Sequence, residues 1–175
     1  MNTQQLIEFL LSRRSIRKYR NEPVPLDLLI KIVDVARYAP SAMNSQPWEF
    51  VIVTDQEVKN RLASIYPWRQ PLYDAPAGIV VLCNENTSPY AEQDCSAATM
   101  YILLATHALG LGATWHGVKE KEAKKIREIL NVPKDVKPFA IISIGWPNEK
   151  PEPGSRKPFE EITHLNRYGN KMKLG

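Results

Sequence analysis

Residues 13–17 read RRSIR, so three guanidiniums and one hydroxyl occur within five positions. A guanidinium donates paired hydrogen bonds to phosphate oxygens and never loses its charge, and a serine hydroxyl with exposed backbone amides can complete the shell. The stretch has no glycine, so it is neither a P-loop nor a dinucleotide-binding motif. Taken alone, RRSIR predicts either a phosphate-binding segment or a solvated basic turn between two helices.

Helices are predicted on both sides of RRSIR. The first begins at Thr3, which can cap it, and ends just before Arg13. Because the C-terminal end of a helix repels anions, side chains rather than this helix would have to hold a phosphate. The second helix has Pro25 in its first turn and is ended by Pro40. Each helix has one apolar stripe: Leu6, Ile7, Leu10 and Leu11 on the first, and Leu28, Leu29, Ile32, Val33 and Ala36 on the second.

A second informative stretch, APSAMNSQPW, occupies residues 39–48. Its short hydroxyl and amide side chains and free backbone groups come directly before an apolar strand predicted at residues 49–54. Such groups at the mouth of a strand suit a planar heterocycle with several hydrogen-bonding edges. The alternative is an ordinary loop rich in serine and asparagine, which is common.

The rest of the chain predicts further helices and strands ahead of an apolar tail. Asp55 can cap a helix over residues 55–64, and an amphipathic helix over residues 118–131 contains a Glu120–Lys124 pair. A helix over residues 94–109 is apolar almost all round, so it must be covered on every side. An aromatic, proline-rich loop is predicted at residues 66–76, and strands at residues 79–82, 113–117 and 139–144.

Composition identifies a globular class and no function. At 175 residues, 43% hydrophobic and 24% charged, the chain fits one domain with a sound core. The net charge of +4 is concentrated at residues 13–20, which favours an anionic ligand nearby. Nucleic acid is not required, because most other lysines alternate with glutamates and lack the interleaved aromatics of single-strand binders.

Cys83 and Cys95 are the only cysteines, and neither belongs to a C-x-x-C pair or a metal-ligand spacing. We interpret both as small buried apolar side chains and expect no metal. Residues 1–5 do not open a signal peptide, and no apolar run approaches the length of a membrane span. We therefore expect a cytoplasmic protein without a membrane partner.

In order and spacing, RRSIR followed by APSAMNSQPW strongly resembles the nitroreductase family of FMN-dependent oxidoreductases. The turn at residues 145–147, followed by Ser155 and Arg156, continues the resemblance, which covers residues 11–168. The resemblance implies an α+β fold of three layers, with a mostly antiparallel sheet between helices, in a single domain over residues 1–175. It also implies an intertwined homodimer with two FMN molecules at the subunit interface, in which residues 148–175 form an arm that wraps the partner.

Site residues carried over from the family cover both subunits. The resemblance implies that Arg13, Ser15 and Arg156 hold the FMN phosphate with Arg14 nearby, and that Arg17 lies beside the N1 and O2 edge of the ring. It further implies that the partner subunit supplies Pro40, Ser41, Ala42, Asn44 and Gln46, and that Trp115, His116 and Gly117 line the N5 side. Larger members have a second basic residue where this chain has Gly154, and Lys157 is the candidate substitute.

The reaction implied by the resemblance is a two-step hydride transfer from NAD(P)H through flavin N5 to an oxidised small molecule, such as a nitroaromatic or a quinone. The cofactor carries the chemistry, so no catalytic acid, base or nucleophile is expected. Arg17 would stabilise negative charge near N1. The alternatives are a non-catalytic flavin carrier or sensor, a specialised reductive dehalogenase or enoate reductase, and a basic nucleic-acid-binding domain. The last has no use for residues 40–48.

Overall fold

The structure is a computed structural model that describes residues 2–67 and 70–172, so two positions of the predicted loop at residues 66–76 lie outside it. The helices are α1 (Thr3–Ser12), α2 (Leu26–Ala36), α3 (Gln56–Ser64), α4 (Gln70–Asp74), α5 (Ala91–Ala108), α6 (Glu120–Leu130) and α7 (Phe159–Ile162). The strands are β1 (Trp48–Val53), β2 (Ala77–Cys83), β3 (Gly112–Gly117) and β4 (Lys137–Gly145). A short 3₁₀ turn (Ala42–Asn44) precedes β1.

A four-stranded sheet in the order β1-β2-β4-β3 divides the molecule, and all three pairings are antiparallel. The central strand β2 is buried at every position, which explains its continuous apolar run. Helices α2 and α5 cover one face around Leu29 and Ile102. Helices α3 and α6 cover the other face around Leu62 and Ile126. The structure thus confirms an α+β fold with three layers.

Local signals located most helix ends. Asp55 accepts a hydrogen bond from the Val58 amide at 2.9 Å, which confirms the predicted cap of α3. Asn2, rather than Thr3, caps α1, because its side chain accepts from the Gln5 amide at 2.9 Å. Pro25 is the N-cap of α2 and precedes its first turn.

The predicted ion pair between Glu120 and Lys124 is replaced by another. Glu120 lies 3.8 Å from the guanidinium of Arg127, two helical turns away. The Nε of Arg127 also donates to the Val136 carbonyl at 3.2 Å. This bond holds the guanidinium on the side of the helix where Glu120 lies, so Arg127 rather than Lys124 is its partner.

RRSIR continues the sheet beyond its β3 edge. Ser15 bridges Ala113 in parallel, and the Ile16 amide donates to the Ala113 carbonyl at 2.9 Å. A Cβ on Gly112 would lie 2.6 Å from the Ile16 Cβ, so only glycine permits this close approach. Tyr19 then bridges Pro147, which joins the RRSIR segment to the start of the tail.

Cys83 and Cys95 are fully buried, as expected, but they are not independent side chains. The structure joins them in a disulfide between β2 and α5. Helix α5 crosses the sheet beside β2 and brings the two Cα atoms to 6.2 Å, which is within the range that a disulfide spans. Their sequence separation of 12 residues gave no sign of this contact.

Large apolar side chains remain exposed on α1 and on the tail. Helix α1 has no buried residue, and Leu11 on its apolar stripe is 69% exposed. In the tail, Ile162, Leu165 and Tyr168 are all more than half exposed. Over residues 2–67 and 70–172, no helix has both the length and the apolar character needed to span a membrane. Exposed apolar surfaces of this kind are typical of sites that contact another molecule.

Candidate functional site

Arg13 and Arg14 border a cleft of about 500 Å³ between the end of α1, the end of α5 and the base of the tail. We call it the arginine cleft; it is lined by Ser12, Arg13, Arg14, Ile16, Leu103, His107, Gly110, Leu111, Ala113, Pro147 and residues 149–153. Arg14 donates to the Leu11 carbonyl at 2.6 Å and so covers the C-terminal end of α1. Burial of the imidazole, with a smaller contribution from the Arg13 charge, lowers the pKa of His107. The cleft is lined by three basic side chains, Arg13, Arg14 and Lys150, and by two acidic ones, Glu149 and Glu152.

Arg17 borders a second cleft, of about 730 Å³, on the β3 edge of the sheet. We call it the strand cleft; the described residues that line it are Arg17, Pro67, Gln70, Pro71, Thr114, Trp115 and His116. Ala113 lines the arginine cleft and its neighbour Thr114 lines the strand cleft, so both clefts are bordered by β3. The structure therefore brings Arg17 together with Trp115 and His116 in one cleft, and places Arg13 and Arg14 in the other.

His116 is 2% exposed and takes part in a chain of buried hydrogen bonds. Its Nε2 lies 2.9 Å from Ser143 Oγ, which lies 2.9 Å from the Tyr19 hydroxyl. Tyr19 donates its proton to the Ile16 carbonyl at 2.6 Å, so it can only accept from Ser143. Ser143 in turn accepts from His116, which places the imidazole proton on Nε2.

Burial, with a smaller contribution from the Arg17 charge, lowers the pKa of His116 to about 4. Burial likewise raises the pKa of Tyr19 to about 12. Both side chains are therefore neutral at pH 7. This makes His116 a fixed hydrogen-bonding group and not an imidazolium acid.

The lowered pKa of His116 predicts a pH-dependent stability. Between pH 7 and pH 5 the imidazole binds a proton in the unfolded chain but not in the folded chain, so acid favours unfolding. Taking a folded pKa of about 4 against about 6.5 unfolded, His116 should cost about 2 kcal/mol of unfolding free energy over this range. Urea unfolding of the wild type and of His116→Gln at both pH values measures it. An equal pH dependence in the two proteins would contradict the prediction.

Asp94 organises the segment before β1, and the sequence did not single it out. It is 7% exposed; its Oδ1 accepts from the Ala42 amide at 3.1 Å and its Oδ2 from the Ser45 hydroxyl at 3.2 Å. Met43, Asn44 and Gln46 all have positive φ, between 47° and 56°, which non-glycine residues seldom adopt. The Asp94 carboxylate thus holds residues 42–45 in a strained form, and Met43 is left 86% exposed. An acidic residue near the start of the apolar helix α5 was the only feature of the sequence that could have pointed to Asp94.

The two informative stretches lie at opposite edges of the sheet. Residues 40–47 lead into β1, whereas RRSIR lies outside β3, and strand order separates these strands by three spacings, about 14 Å in all. Among the residues that the structure describes, those lining the arginine cleft and the strand cleft include none of residues 40–47. Pro40, Ser41, Ala42, Asn44 and Gln46 are therefore not brought to Arg17 within one chain.

Two further residues predicted for the site, Arg156 and Gly117, are not among the residues that line either cleft. Arg156 donates to the Gly154 and Ser155 carbonyls, each at 3.0 Å, and is exposed in the tail; it is not among the residues that line the arginine cleft. Gly117 ends β3, and its carbonyl accepts from the Tyr66 hydroxyl at 3.5 Å. Gly117 thus directly follows His116 of the strand cleft, whereas Arg156 lines neither cleft.

The structure is that of a three-layer α+β protein with a basic segment along the edge strand β3. Comparison with known proteins gives its family. The model of the Nitroreductase family matches residues 10–81 and 66–146. The chain belongs to the nitroreductase family. This confirms the resemblance seen in RRSIR and in residues 39–48.

Individual relatives match over most of the chain. A protein named "Putative NADH dehydrogenase/NAD(P)H nitroreductase" from Methanothermobacter thermautotrophicus is 38% identical, over 96% of this chain and 90% of its own length. The structure of an FMN-dependent nitroreductase from Clostridium difficile R20291 superposes with a TM-score of 0.87 at 34% identity, covering 93% of this chain and 99% of the other. An iodotyrosine deiodinase from Thermotoga neapolitana is 25% identical, over 86% of this chain and 92% of its own.

Proposed function

We propose that this protein is an FMN-dependent oxidoreductase that moves hydride from NAD(P)H to a small oxidised acceptor. The observation that carries the proposal is the RRSIR segment along β3, with two guanidiniums bordering the arginine cleft and a third bordering the strand cleft. The names of relatives support it, since they include NAD(P)H nitroreductase and FMN-dependent nitroreductase.

The donor set fits FMN, which has a dianionic phosphate at one end and a flat ring with a polar edge at the other. Arg13 and Ser15 would hold the phosphate, with Arg14 beside them. Arg156 would join from the tail, which requires it to release the carbonyls of Gly154 and Ser155. Arg17 would face the polar edge of the ring, and Trp115, His116 and Gly117 would line its other edge.

Bound FMN would accept hydride from NAD(P)H and donate it to the acceptor. The protein's part is to bind, orient and stabilise charge. Arg17 supplies a permanent positive charge where negative charge develops, without any reorganisation. His116 offers a neutral, fixed imidazole in the same cleft. None of these side chains needs to exchange a proton.

The site is completed by a second copy of the chain. Residues 40–47 lie at the opposite edge of the sheet from Arg17 and line neither cleft, so the loop of the partner would supply Pro40, Ser41, Ala42, Asn44 and Gln46. The exposed apolar stripe of α1 and the apolar tail are the surfaces that such a homodimer would bury. Residues 148–175 would wrap the partner as an arm.

Reductive dehalogenation is the second candidate, because an iodotyrosine deiodinase is among the relatives over nearly the whole chain. It would use the same bound cofactor and a different acceptor. A halogenated phenol in place of a nitroaromatic in the same assay separates the two reactions.

Two measurements test the proposed function. Heating the purified protein and analysing the supernatant by chromatography should release FMN, and FAD or no flavin would contradict the proposal. Steady-state oxidation of NAD(P)H should require a nitroaromatic or quinone and give parallel double-reciprocal plots, as expected for a two-step mechanism. A protein that holds FMN but oxidises no NAD(P)H would instead be a flavin carrier.

Replacing Asp94 should weaken FMN binding without unfolding the protein. In Asp94→Ala the Ala42 amide and the Ser45 hydroxyl lose their acceptor, so the partner's loop is no longer held ready for the ligand. We expect about tenfold weaker FMN affinity, corresponding to one hydrogen bond to a charged group. Fluorescence titration of the flavin-free protein measures it, and Asp94→Asn, which keeps an acceptor, is the matched control. Equal affinities for Asp94→Ala and wild type would contradict the role.

A further inference from the structure

Glu149 ties the base of the arm to the RRSIR segment. Its Oε1 accepts from two successive amides, that of Arg17 at 2.5 Å and that of Lys18 at 3.1 Å. Backbone bonds flank this contact, because the Asn148 amide donates to the Lys18 carbonyl at 2.9 Å and the Arg20 amide to the Trp146 carbonyl at 2.9 Å. The carboxylate therefore links the start of the arm to the backbone at Arg17 and Lys18.

The peptide between Ile16 and Arg17 is held at both ends. Its carbonyl accepts from the Tyr19 hydroxyl at 2.6 Å and also from the Thr114 hydroxyl. Its amide, on Arg17, donates to Glu149. The two hydroxyls thus hold the carbonyl end of this peptide, and Glu149 is the side chain that holds its amide end.

The Arg17 side chain depends on this backbone for its position. Among the described residues, its guanidinium makes one hydrogen bond, a long contact of 3.5 Å from Nη1 to the Ser15 carbonyl. A tilt of the preceding peptide would swing the side chain across the strand cleft. Small displacements of a charged group from a reacting centre are costly, because the charge must already stand where it is needed.

We propose that Glu149 is a positioning residue that acts through Arg17, and so couples the arm to the cofactor site. This inference rests on the proposed function, since it concerns the place of Arg17 relative to bound FMN. A carboxylate suits the role because charge-assisted hydrogen bonds to backbone amides are the stronger ones. Binding of the arm to the partner subunit would thereby affect the position of Arg17 at the polar edge of the ring.

Three variants separate position from charge. Glu149→Ala removes both the acceptor and the negative charge, whereas Glu149→Gln removes the charge and keeps an oxygen acceptor. Glu57→Ala, on the exposed first turn of α3, matches the charge change at a distant site. Thermal unfolding of each variant confirms that it is folded.

Hydrogen exchange tests the contact without any flavin. In the flavin-free protein, NMR should show the Arg17 and Lys18 amides exchanging about tenfold faster in Glu149→Ala than in wild type, because their acceptor is gone. Glu149→Gln should restore most of the protection, and Glu57→Ala should match wild type. Unchanged exchange in Glu149→Ala would overturn the inference, whatever becomes of the proposed function.

The midpoint potential of bound FMN tests the action through Arg17. Glu149→Ala and Glu149→Gln lack the same charge, so a lower potential in the alanine variant measures misplacement of Arg17. In an Arg17→Ala background the two variants should have equal potentials, because the group that Glu149 positions is absent. Two results would overturn the inference. One is equal potentials for Glu149→Ala and Glu149→Gln when Arg17 is present. The other is a difference between them that persists when Arg17 is replaced by alanine. A wild type without FMN would instead refute the proposed function.

Discussion

Removal of the chain from Phe159 onward is expected to abolish both the dimer and the flavin content. The deleted part contains α7 and the exposed apolar side chains Ile162, Leu165 and Tyr168. Without them the apolar stripe of α1 would stay open to water, and residues 40–47 of the partner would not be held beside Arg17. An obligate dimer has little stability as separate chains, so the truncated protein should aggregate or lose its ligand.

Size-exclusion chromatography with light scattering, together with the visible spectrum, measures this outcome. The matched control keeps the length of the chain and replaces Ile162, Leu165 and Tyr168 by serine. That triple variant should lose the dimer as well, if apolar contact rather than chain length is responsible. A soluble, flavin-loaded monomer from the truncated chain would show that the tail is not needed.

Arg13→Ala and Arg17→Ala should fail in different ways. Arg13→Ala is expected to weaken FMN retention by about one to two decades, because it removes a charge-assisted pair worth roughly 1.5 to 3 kcal/mol. Arg17→Ala should instead lower the midpoint potential of bound FMN and slow its reduction by NAD(P)H, because the ring loses the cation that stabilises negative charge.

Excess FMN in both samples keeps binding and electron transfer apart. Equilibrium titration reports affinity, while anaerobic single-turnover reduction and potentiometric titration report the second effect. Arg20→Ala, with its exposed guanidinium on the Pro147 carbonyl, removes an equal charge nearby and serves as control. If reloaded Arg17→Ala showed the wild-type potential and rate, the role assigned to Arg17 would be wrong.

Much of the fold could be predicted from sequence because local rules apply to it. The cap at Asp55, the continuous apolar run of β2 and the all-round apolar α5 each reflect burial or hydrogen bonding close by in the chain. The RRSIR segment was recognised by its charges and by its order with residues 39–48. Its packing against β3 requires glycine at position 112, because Ile16 lies directly over that residue. The sequence alone does not show this contact.

The supporting residues of the site could not be predicted in this way. Glu149 lies 132 residues from Arg17, and Asp94 lies 52 residues from Ala42. Ser143 meets His116 only because β4 pairs with β3, and Tyr19 reaches Ser143 from the segment that follows RRSIR. Each is an ordinary polar side chain whose partner is set by packing, and no local spacing identifies it.

The placement of RRSIR and residues 40–47 at opposite edges of the sheet has a genetic consequence. Each of the two sites in the proposed dimer would take its arginines from one chain and its loop from the other. A chain damaged in its arginines and a chain damaged in its loop, produced together, would form mixed dimers with one site free of both lesions and one site carrying both. Two inactive alleles would then complement each other to at most half of the normal activity per mixed dimer, whereas two alleles damaged at the same edge would not.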